Sequence, residues 1–345
     1  MKEHLVLIKL LPSGKEFAAE ETDTLLEAAL RSGISLRYSC SNGACGDCRA
    51  RLISGAVRET GPQDFQFSEA EKSRNPILLC STSALSDLEI QVQEANTPHD
   101  IPLQEIGTRV EKLEHVQDNV VVLHLRTPRS QTLHFLAGQH VSLEVAGLST
   151  GNRSVASCPC NAMHLEFHVR HVADDPFSDY VFTRLKPGET IKIKGPWGDF
   201  QLDEGSIRPI LFFAYETGFG PVMSIIQHAI ALELPQPMAL YWLVDQAGGH
   251  YLENQCRAWE DALDNFSYTP LVATQANDGD PIASPQTTAR HFALAGQDIL
   301  AAHPDLRQYD AYLAGPETTM QPLLEQLLHA GLPPAQLKMN FMQWF

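Results

Sequence analysis

Apolar and polar positions alternate in short stretches near the start of the chain, a pattern typical of β-strands. Residues 4 to 10 alternate, the Ser-Gly pair at 13 and 14 predicts a turn, and residues 16 to 19 provide the returning arm of a hairpin. A helix follows, since Thr24 opens a capping box and Gly33 provides a left-handed stop. The predicted order is therefore strand, strand, helix, and it leads directly into a cysteine-rich loop.

The next part of the chain continues with short strands. Residues 88 to 92 alternate and close the first unit, and residues 95 to 102 contain two prolines and predict a linker. From about residue 110 to 202, short β runs are separated by turns, including 120–125, 140–145, 165–170 and 191–194. This rhythm predicts a small antiparallel barrel.

From residue 209 the pattern changes to buried strands that alternate with helices. Strands are predicted at 210–214, 238–244, 309–314 and from 337 onward, and helices at 222–232 and 318–328. This alternation predicts a parallel α/β sheet, with binding expected at the carboxyl ends of its strands.

Four of the seven cysteines have the spacing of a plant-type [2Fe–2S] ferredoxin site, namely Cys40, Cys45, Cys48 and Cys80. Four residues and then two separate the first three, and 31 residues lie between the third and the fourth. Gly43 and Gly46 let backbone amides turn toward the sulfurs. The alternatives are a zinc site or ordinary reduced cysteines, but zinc sites prefer paired C-x2-C knuckles and one such pair occurs here.

Other cysteines and histidines carry open alternatives. Cys158 and Cys160 lie in a predicted turn of the barrel region, where they are either small turn residues or a redox or ligand pair. A period of two places His164 and His168 on one strand face and His171 on the other. Surface or barrel packing is favoured for these histidines over haem or metal ligation.

Charge and hydropathy narrow the classes of partner. The formal net charge is −17, which excludes nucleic acid and anionic membranes and predicts docking to a positively charged protein patch. No run reaches the roughly 18 apolar residues of a membrane span, and the start lacks the apolar core of a secretory signal. An odd number of cysteines with metal-site spacing fits a reducing compartment. We therefore expect a cytoplasmic protein.

Several motifs in one order resemble reductases that fuse a [2Fe–2S] ferredoxin to a ferredoxin-NADP reductase-like unit, such as phenol hydroxylase and methane monooxygenase reductase components and CDP-6-deoxy-glucoseen reductase. The resemblance covers essentially the whole chain. Besides the cysteine loop, it rests on residues 135–140 (FLAGQH), 195–200 (GPWGDF), 217–221 (TGFGP) and 312–316 (YLAGP).

This resemblance implies a multidomain α+β architecture: a β-grasp ferredoxin over 1–97, an antiparallel FAD-binding-type β-barrel over 98–204, and a parallel α/β NAD(P)-binding-type domain over 205–345. It implies an iron–sulfur flavoprotein that passes electrons from NAD(P)H through FAD to the cluster and on to a redox partner protein of the oxygenase or hydroxylase type. Ser154 is the implied catalytic residue. The implied cofactor-binding residues are Arg153, Ser154, Val155, Ser178, Thr217, Gly218, Gly220, Pro221, Gly315, Pro316 and the terminal Phe345, which is alternatively a plain packed residue.

Some positions depart from the family pattern at phosphate or ring contacts. They are Gly151 and Arg153 in the flavin motif, Asp175 before Ser178, Tyr215 and Glu216 before Thr217, and Asp245 after a predicted strand. A carboxylate beside a diphosphate is unfavourable unless a cation intervenes. The alternative function is therefore a flavin- or NAD-free ferredoxin that acts as an electron-transfer or assembly subunit on a degenerate reductase scaffold.

Overall fold

The computed structural model describes residues 5–95, 97–128, 131–161, 163–273 and 285–341. Three successive sheets of five or six strands, with a two-stranded sheet beside the first, organise these residues, and we call the corresponding parts of the chain the N-terminal, barrel and C-terminal modules. Among the described residues, no helix has both the length and the apolar character needed to cross a membrane.

The N-terminal module is a mixed sheet packed on one helix, as a β-grasp fold requires. Its strands and helices are β1 (Val6–Leu11), β2 (Glu16–Ala19), α1 (Leu25–Arg31), β3 (Arg49–Ser54), β4 (Val57–Glu59), α2 (Glu69–Lys72), β5 (Pro76–Leu78), β6 (Thr82–Ala84) and β7 (Leu88–Gln91). The sheet order is β2-β1-β7-β3-β5, with β1 and β7 parallel. The predicted hairpin and the capping box of Thr24 with Glu27 are confirmed, and Gly33 has φ +74° after the helix.

The barrel module is a six-stranded antiparallel sheet in the order β11-β10-β13-β8-β9-β12. Its elements are β8 (Gln104–Gln117), β9 (Val120–Arg126), β10 (His140–Val145), β11 (Leu148–Ser154), β12 (His164–Arg170), α3 (Pro176–Thr183) and β13 (Thr190–Trp197). The N–H of Ala156, just after β11, donates to the carbonyl of Glu166 in β12 at 2.8 Å. This bond brings the two edge strands together, so the sheet curls around a core that includes Phe135 and Phe167.

The C-terminal module is a five-stranded, fully parallel sheet in the order β16-β15-β14-β17-β18. Its elements are β14 (Ile210–Tyr215), α4 (Phe219–Ala231), β15 (Met238–Val244), α5 (Glu253–Ala262), β16 (Phe266–Val272), α6 (Pro285–Ala302), β17 (Asp310–Gly315), α7 (Glu317–His329) and β18 (Leu337–Phe341). Because β14 lies between β15 and β17, the strand order reverses beside it, and ligands of such sheets bind at that reversal.

Helix α4 starts earlier than the pattern predicted. The expected start at residue 222 is wrong, because the helix already begins at Phe219 and includes Gly220 and Pro221 in its first turn. Proline is tolerated there, since a first-turn N–H has no intrahelical partner. The turn is buried, with Phe219 stacked on Trp242 at 4.0 Å between ring centroids. What looks like a glycine loop in the sequence is therefore a packed helix start.

The histidines of β12 serve packing and pairing. His164 is exposed and lies 2.9 Å from Glu111, whereas His168 is buried and bonds Glu166 at 3.0 Å and the Tyr251 hydroxyl at 2.8 Å. His168 also stacks on Phe219 of the C-terminal module. His164 thus lies at the surface, and His168 packs between two modules.

The N-terminal module is joined to the other two by a buried aromatic stack and a charge cluster. Tyr38, two residues before Cys40, stacks on His134 of the barrel module at 4.7 Å. Lys15 of the hairpin lies 2.9 Å from the carboxylate of Glu204, and the ring of His228 lies 3.0 Å from the same carboxylate. Burial alone raises the pKa of Glu204, but the bonds from His228 and Lys15 hold it at about 2.

The burial of His134 beside Tyr38 makes stability depend on pH. Burial lowers the pKa of His134 from its ordinary 6.5 to about 4, so the unfolded chain binds more protons than the folded one between these values. Stability should therefore fall as the pH drops from 7 toward 5. His134→Phe preserves a ring against Tyr38 and should flatten this dependence, by about 2 °C or more in the pH-induced change of Tm.

Thermal unfolding of both proteins at pH 7, 6 and 5 checks this expectation. His99→Phe is the matched control, because His99 is exposed and should leave the slope of the wild type unchanged. Parallel profiles of Tm against pH for the wild type and His134→Phe would show that buried His134 is not the source of the pH dependence.

Candidate functional site

The four cysteines come together as two pairs. The sulfurs of Cys48 and Cys80 lie 3.3 Å apart. Cys40 and Cys45 are joined by reciprocal bonds, in which each backbone N–H donates to the other residue's sulfur at 3.4 Å. Three of the four cysteines are less than a tenth exposed. The sequence prediction that these residues converge is met by this geometry.

Two glycines shape the cysteine loop. Gly43 has φ +80° and Gly46 has φ +78°. A Cβ at Gly43 would lie 1.9 Å from the carbonyl oxygen of Pro62, and one at Gly46 would lie 2.3 Å from the Phe65 ring. Nearby amides point at sulfur, as in the 3.4 Å bond from the Asp47 N–H to Cys45. The loop therefore needs glycine at both positions to present its N–H groups to the thiolates.

The pairing of the cysteines decides which metal centre fits. Each iron of a [2Fe–2S] centre takes two cysteine thiolates beside two bridging sulfides, so its four ligands divide into two pairs. A structural zinc ion needs all four ligands around one point. The two cysteine pairs, Cys40 with Cys45 and Cys48 with Cys80, therefore fit a [2Fe–2S] centre.

A cavity of about 160 Å³ lies between the barrel module and the last strand of the C-terminal module. Arg153 and Ser154 at the end of β11 line it, together with His140 of β10 and Asn340 of β18. The Ser154 hydroxyl accepts a bond from the Asn340 amide at 3.1 Å. The two residues expected at the flavin ring thus share one cavity, to which the chain's C-terminal strand also contributes.

The acidic residue at the start of α3 is neutralised by an arginine. Asp175 caps the helix, accepting from the N–H of Phe177 at 3.1 Å, and its other oxygen lies 3.1 Å from the Arg153 guanidinium. Both side chains are largely buried, at 17% and 12% exposure for Arg153 and Asp175. Burial lowers the pKa of Arg153, and Asp175 opposes this by favouring the cation. Asp175 therefore does not present an uncompensated negative charge to a diphosphate.

Other residues expected at the flavin are part of the scaffold around this cavity. Ser178 is fully buried, and its hydroxyl accepts from the Val172 N–H at 3.2 Å and donates to the Asp175 carbonyl at 3.1 Å. Val155 lies in the barrel core and donates its N–H to Gln139 at 3.0 Å. Phe345 lies outside the described residues.

A larger cavity of about 700 Å³ lies at the carboxyl edge of β14 and β15. It is lined by Arg170 at the end of β12, by Glu216 and Asp245 at the ends of the two strands, and by Asp118 and glycines of the loop after β15. This is the edge at which a parallel sheet binds nucleotides. Three carboxylates, those of Asp118, Glu216 and Asp245, line this cavity.

Glu216 is held in a conformation that favours glycine. Its φ is +50°, and its side chain is 6% exposed. The carboxylate lies 2.7 Å from Arg170 and accepts from the Asp245 N–H at 2.7 Å, while its carbonyl accepts from the Trp242 indole at 3.0 Å. Burial raises the pKa of Glu216, and Arg170 opposes that rise. Several bonds therefore keep a strained, buried carboxylate in place.

Asp245 belongs to the same network. It accepts from the Tyr215 hydroxyl at 2.6 Å, and its second oxygen lies 3.9 Å from the Arg170 guanidinium. Arg170 thus faces two carboxylates at once. The sequence indicated the two carboxylates but not Arg170. No local pattern shows that the last residue of a barrel strand reaches the sheet edge of the following module.

The glycines of the expected nicotinamide site allow the start of α4 and the start of α7 to approach β17 closely. A Cβ at Gly218 would lie 2.4 Å from the Ala314 carbonyl, and one at Gly315 would lie 3.0 Å from the Met320 sulfur. The residues Thr217, Gly218, Gly220, Pro221 and Gly315 are all buried, and Pro316 caps α7. The structure therefore brings these predicted residues together around the strand-order reversal beside β14.

Cys158 and Cys160 are joined by a disulfide in a short turn of the barrel module. Cys158 is buried, and its N–H donates to Gln227 of α4 at 3.0 Å. The interpretation as small turn residues describes their position and leaves out this covalent link.

Cys45→Ser should abolish the cluster, because one thiolate ligand is lost and a serine oxygen is a poor substitute for sulfur at an iron–sulfur centre. Iron and acid-labile sulfide per chain, with visible circular dichroism, measure the loss. Cys256→Ser is the matched control, since Cys256 is a buried cysteine of α5 and should keep full iron content. Normal iron and sulfide in Cys45→Ser would show that the ligand set is different.

Two family models match the chain at the positions that the geometry indicates. The model described as "2Fe-2S iron-sulfur cluster binding domain" matches residues 8–85. The model described as "Oxidoreductase FAD-binding domain" matches residues 107–202. Among solved structures, the Amycolatopsis cytochrome P450 reductase GcoB shares the fold, with a TM-score of 0.61, 24% identity and coverage of 97% of this chain and 98% of that one.

Characterised relatives extend over nearly the whole length. The CDP-6-deoxy-L-threo-D-glycero-4-hexulose-3-dehydrase reductase of Yersinia pseudotuberculosis is 32% identical, with 94% of each chain covered. The ferredoxin–NAD(+) reductase component of the alkene monooxygenase system of Xanthobacter autotrophicus is 30% identical, with 94% of this chain and 97% of the relative covered. The chain therefore belongs to the family of reductases that fuse a [2Fe–2S] ferredoxin domain to a ferredoxin-NADP reductase-like unit, and it is an NAD(P)H-dependent oxidoreductase that transfers electrons by means of FAD and a [2Fe–2S] cluster.

Proposed function

We propose that this reductase takes its electrons from NADH in preference to NADPH and delivers them singly to a partner protein of the oxygenase or hydroxylase type. NADH supplies a hydride, the flavin divides it into single electrons, and the iron–sulfur cluster passes these on. The observation that carries the choice of NADH is the pair of carboxylates, Glu216 and Asp245, at the carboxyl edge of the parallel sheet.

The two nucleotides differ in the charge that this edge would meet. NADPH carries a phosphate on the adenosine ribose, whereas NADH carries a hydroxyl there. A carboxylate accepts a hydrogen bond from such a hydroxyl and repels a phosphate at the same position. Asp245 follows β15, where the resemblance leads us to expect an arginine that grips the ribose or its phosphate. An acidic residue at this position therefore supports selection of NADH.

Arg170 of the barrel module, which lines this edge cavity, is already engaged by carboxylates. Arg170 lies 2.7 Å from Glu216 and 3.9 Å from Asp245. Its charge is thus offset by two nearby negative charges, so it offers a phosphate little net attraction. The network supports discrimination against NADPH by electrostatic repulsion.

The residues of the smaller cavity have proposed roles at the flavin. Ser154 would offer its hydroxyl to the ring, with Asn340 holding that hydroxyl in place at 3.1 Å. Arg153 would offer its planar guanidinium as a flat surface for the ring. Asp175 would fix the guanidinium, so its negative charge contributes to orientation.

The partner class is supported by what the relatives serve. Their names describe reductase components of alkene monooxygenase, propane 2-monooxygenase and naphthalene 1,2-dioxygenase systems, and one reductase that acts with a dehydrase. A partner protein is therefore expected to receive the electrons of this chain too. The alternative of a nucleotide-free scaffold is disfavoured, because the FAD-binding domain matches and the acidic departure at Asp175 has its own counter-ion.

Steady-state kinetics with ferricyanide as acceptor test the nucleotide preference. We expect kcat/KM for NADH to exceed that for NADPH by about a hundredfold or more, which corresponds to roughly 2.8 kcal/mol. Asp245→Asn removes one charge and should narrow the ratio by about tenfold, mainly through a better kcat/KM for NADPH. Asp261→Asn, an exposed position on α5, is the charge-matched control and should leave the ratio unchanged.

Equal use of both nucleotides by the wild type, or an unchanged ratio in Asp245→Asn, would contradict the assignment of the carboxylates. Absence of turnover with either nucleotide in a protein that contains flavin would contradict the proposed function as a whole.

A further inference from the structure

A groove of about 370 Å³ lies on the solvent-facing side of the N-terminal sheet. Three arginines line it, Arg49 and Arg51 of β3 and Arg74 beside β5, and all three are exposed. Apolar walls are supplied by Phe67 and Pro76, among others. The combination of several guanidinium groups with apolar walls is unusual in a chain of net charge −17.

The groove adjoins the cysteine loop. Arg49 directly follows Cys48, and its guanidinium donates to the carbonyl of Gly46 inside the loop at 3.0 Å. A molecule seated in the groove would therefore touch a side chain that is bonded to the cluster-bearing loop. Electron transfer to another protein requires that protein to approach this loop closely.

The positive charge of the groove is only partly compensated. Glu71 is the carboxylate that lines it, 3.6 Å from Arg49. Arg51 and Arg74 form no ion pair with any residue in the part of the chain that the structure describes. Guanidinium groups bind carboxylates through two parallel hydrogen bonds, which gives orientation as well as attraction. The groove is thus suited to carboxylate side chains.

We propose that this arginine groove, formed by Arg49, Arg51 and Arg74, is the docking site of the electron-accepting partner protein, and that the partner presents an acidic segment to it. The proposal rests on the proposed function, because it assumes that electrons leave through the N-terminal module to a protein. It reverses the expectation from net charge, which predicted docking to a positive patch. The acidic chain as a whole repels an acidic partner, and the arginine groove offers it local attraction.

The size of the groove sets the kind of complex. Electron-transfer encounters bury less than about 1,200 Å² in total, and they are brief. A groove of about 370 Å³ accommodates a few side chains of the partner and cannot form a whole interface alone. The arginines would therefore supply steering and orientation, and the acceptor would dissociate after each electron. Such an interaction depends strongly on ionic strength.

The test uses the acidic soluble domain of cytochrome b5 as an artificial acceptor, with NADH as donor and the holoenzyme. The double variant Arg51→Glu/Arg74→Glu should reduce cytochrome b5 about tenfold more slowly than the wild type at low salt. The difference should shrink near 1 M salt, where the Debye length is about 3 Å. The ferricyanide rate, iron content and visible circular dichroism should not change.

Arg58→Glu is the matched control, because Arg58 is an exposed arginine of the same module on β4 and does not line the groove. It should keep the cytochrome b5 rate within about twofold. A second readout is independent of turnover: a fluorescein-labelled oligoglutamate peptide should show anisotropy-detected binding to the wild type and to Arg58→Glu, and lose it in the double variant.

Equal cytochrome b5 rates in the wild type and the double variant would overturn the docking assignment, and so would an equal loss of rate in Arg58→Glu. Normal ferricyanide reduction in these proteins would leave the proposed function intact. If the wild type failed to reduce ferricyanide with NADH, the proposed function would fail, and the docking proposal with it.

Discussion

The ion pair between Arg170 and Glu216 is the interaction on which the nucleotide end of the molecule depends. Glu216 is buried in a left-handed backbone conformation, and a buried carboxylate without a counter-ion would cost several kcal/mol. Arg170 reaches it from the last position of a barrel strand, so the pair also connects two modules. The position of Asp245, the shape of the edge cavity and its excess of negative charge all follow from that connection.

The same principle operates at the flavin cavity, where Arg153 neutralises Asp175. In both places an acidic residue stands where the family resemblance leads us to expect glycine or another residue that favours phosphate, and in both an arginine of the barrel module compensates it. The Tyr38–His134 stack and the Lys15–Glu204 pair attach the N-terminal module to this unit. The redox sites are thus held in one packed arrangement by contacts between modules, and the arginine groove remains on the outer face for a partner.

Local signals made the cluster site and many strands predictable. The capping box at Thr24 and the alternation in β1 and β2 each lie within a few residues, and both are confirmed in the fold. The cysteine spacing is a recognised signature although Cys80 follows Cys48 only after 31 further residues. The compensating pairs were not predictable, because Arg153 and Asp175 are separated by 22 residues and Arg170 belongs to a different module from Glu216. The start of α4 was misplaced for a related reason: Gly218 packs against Ala314 of β17 and Gly220 packs against His168 of β12, and these contacts are visible only in the folded chain.

The central claim is that this chain joins a flavin and a [2Fe–2S] cluster into one NADH-driven electron path. Anaerobic purification, followed by flavin extraction, iron and sulfide assay and a titration of the visible spectrum with NADH, tests it most directly. We expect stoichiometric FAD, iron and sulfide in the ratio of a [2Fe–2S] centre, and bleaching of both flavin and cluster absorbance by NADH. Iron and sulfide without flavin, or a visible spectrum that NADH leaves unchanged, would contradict it.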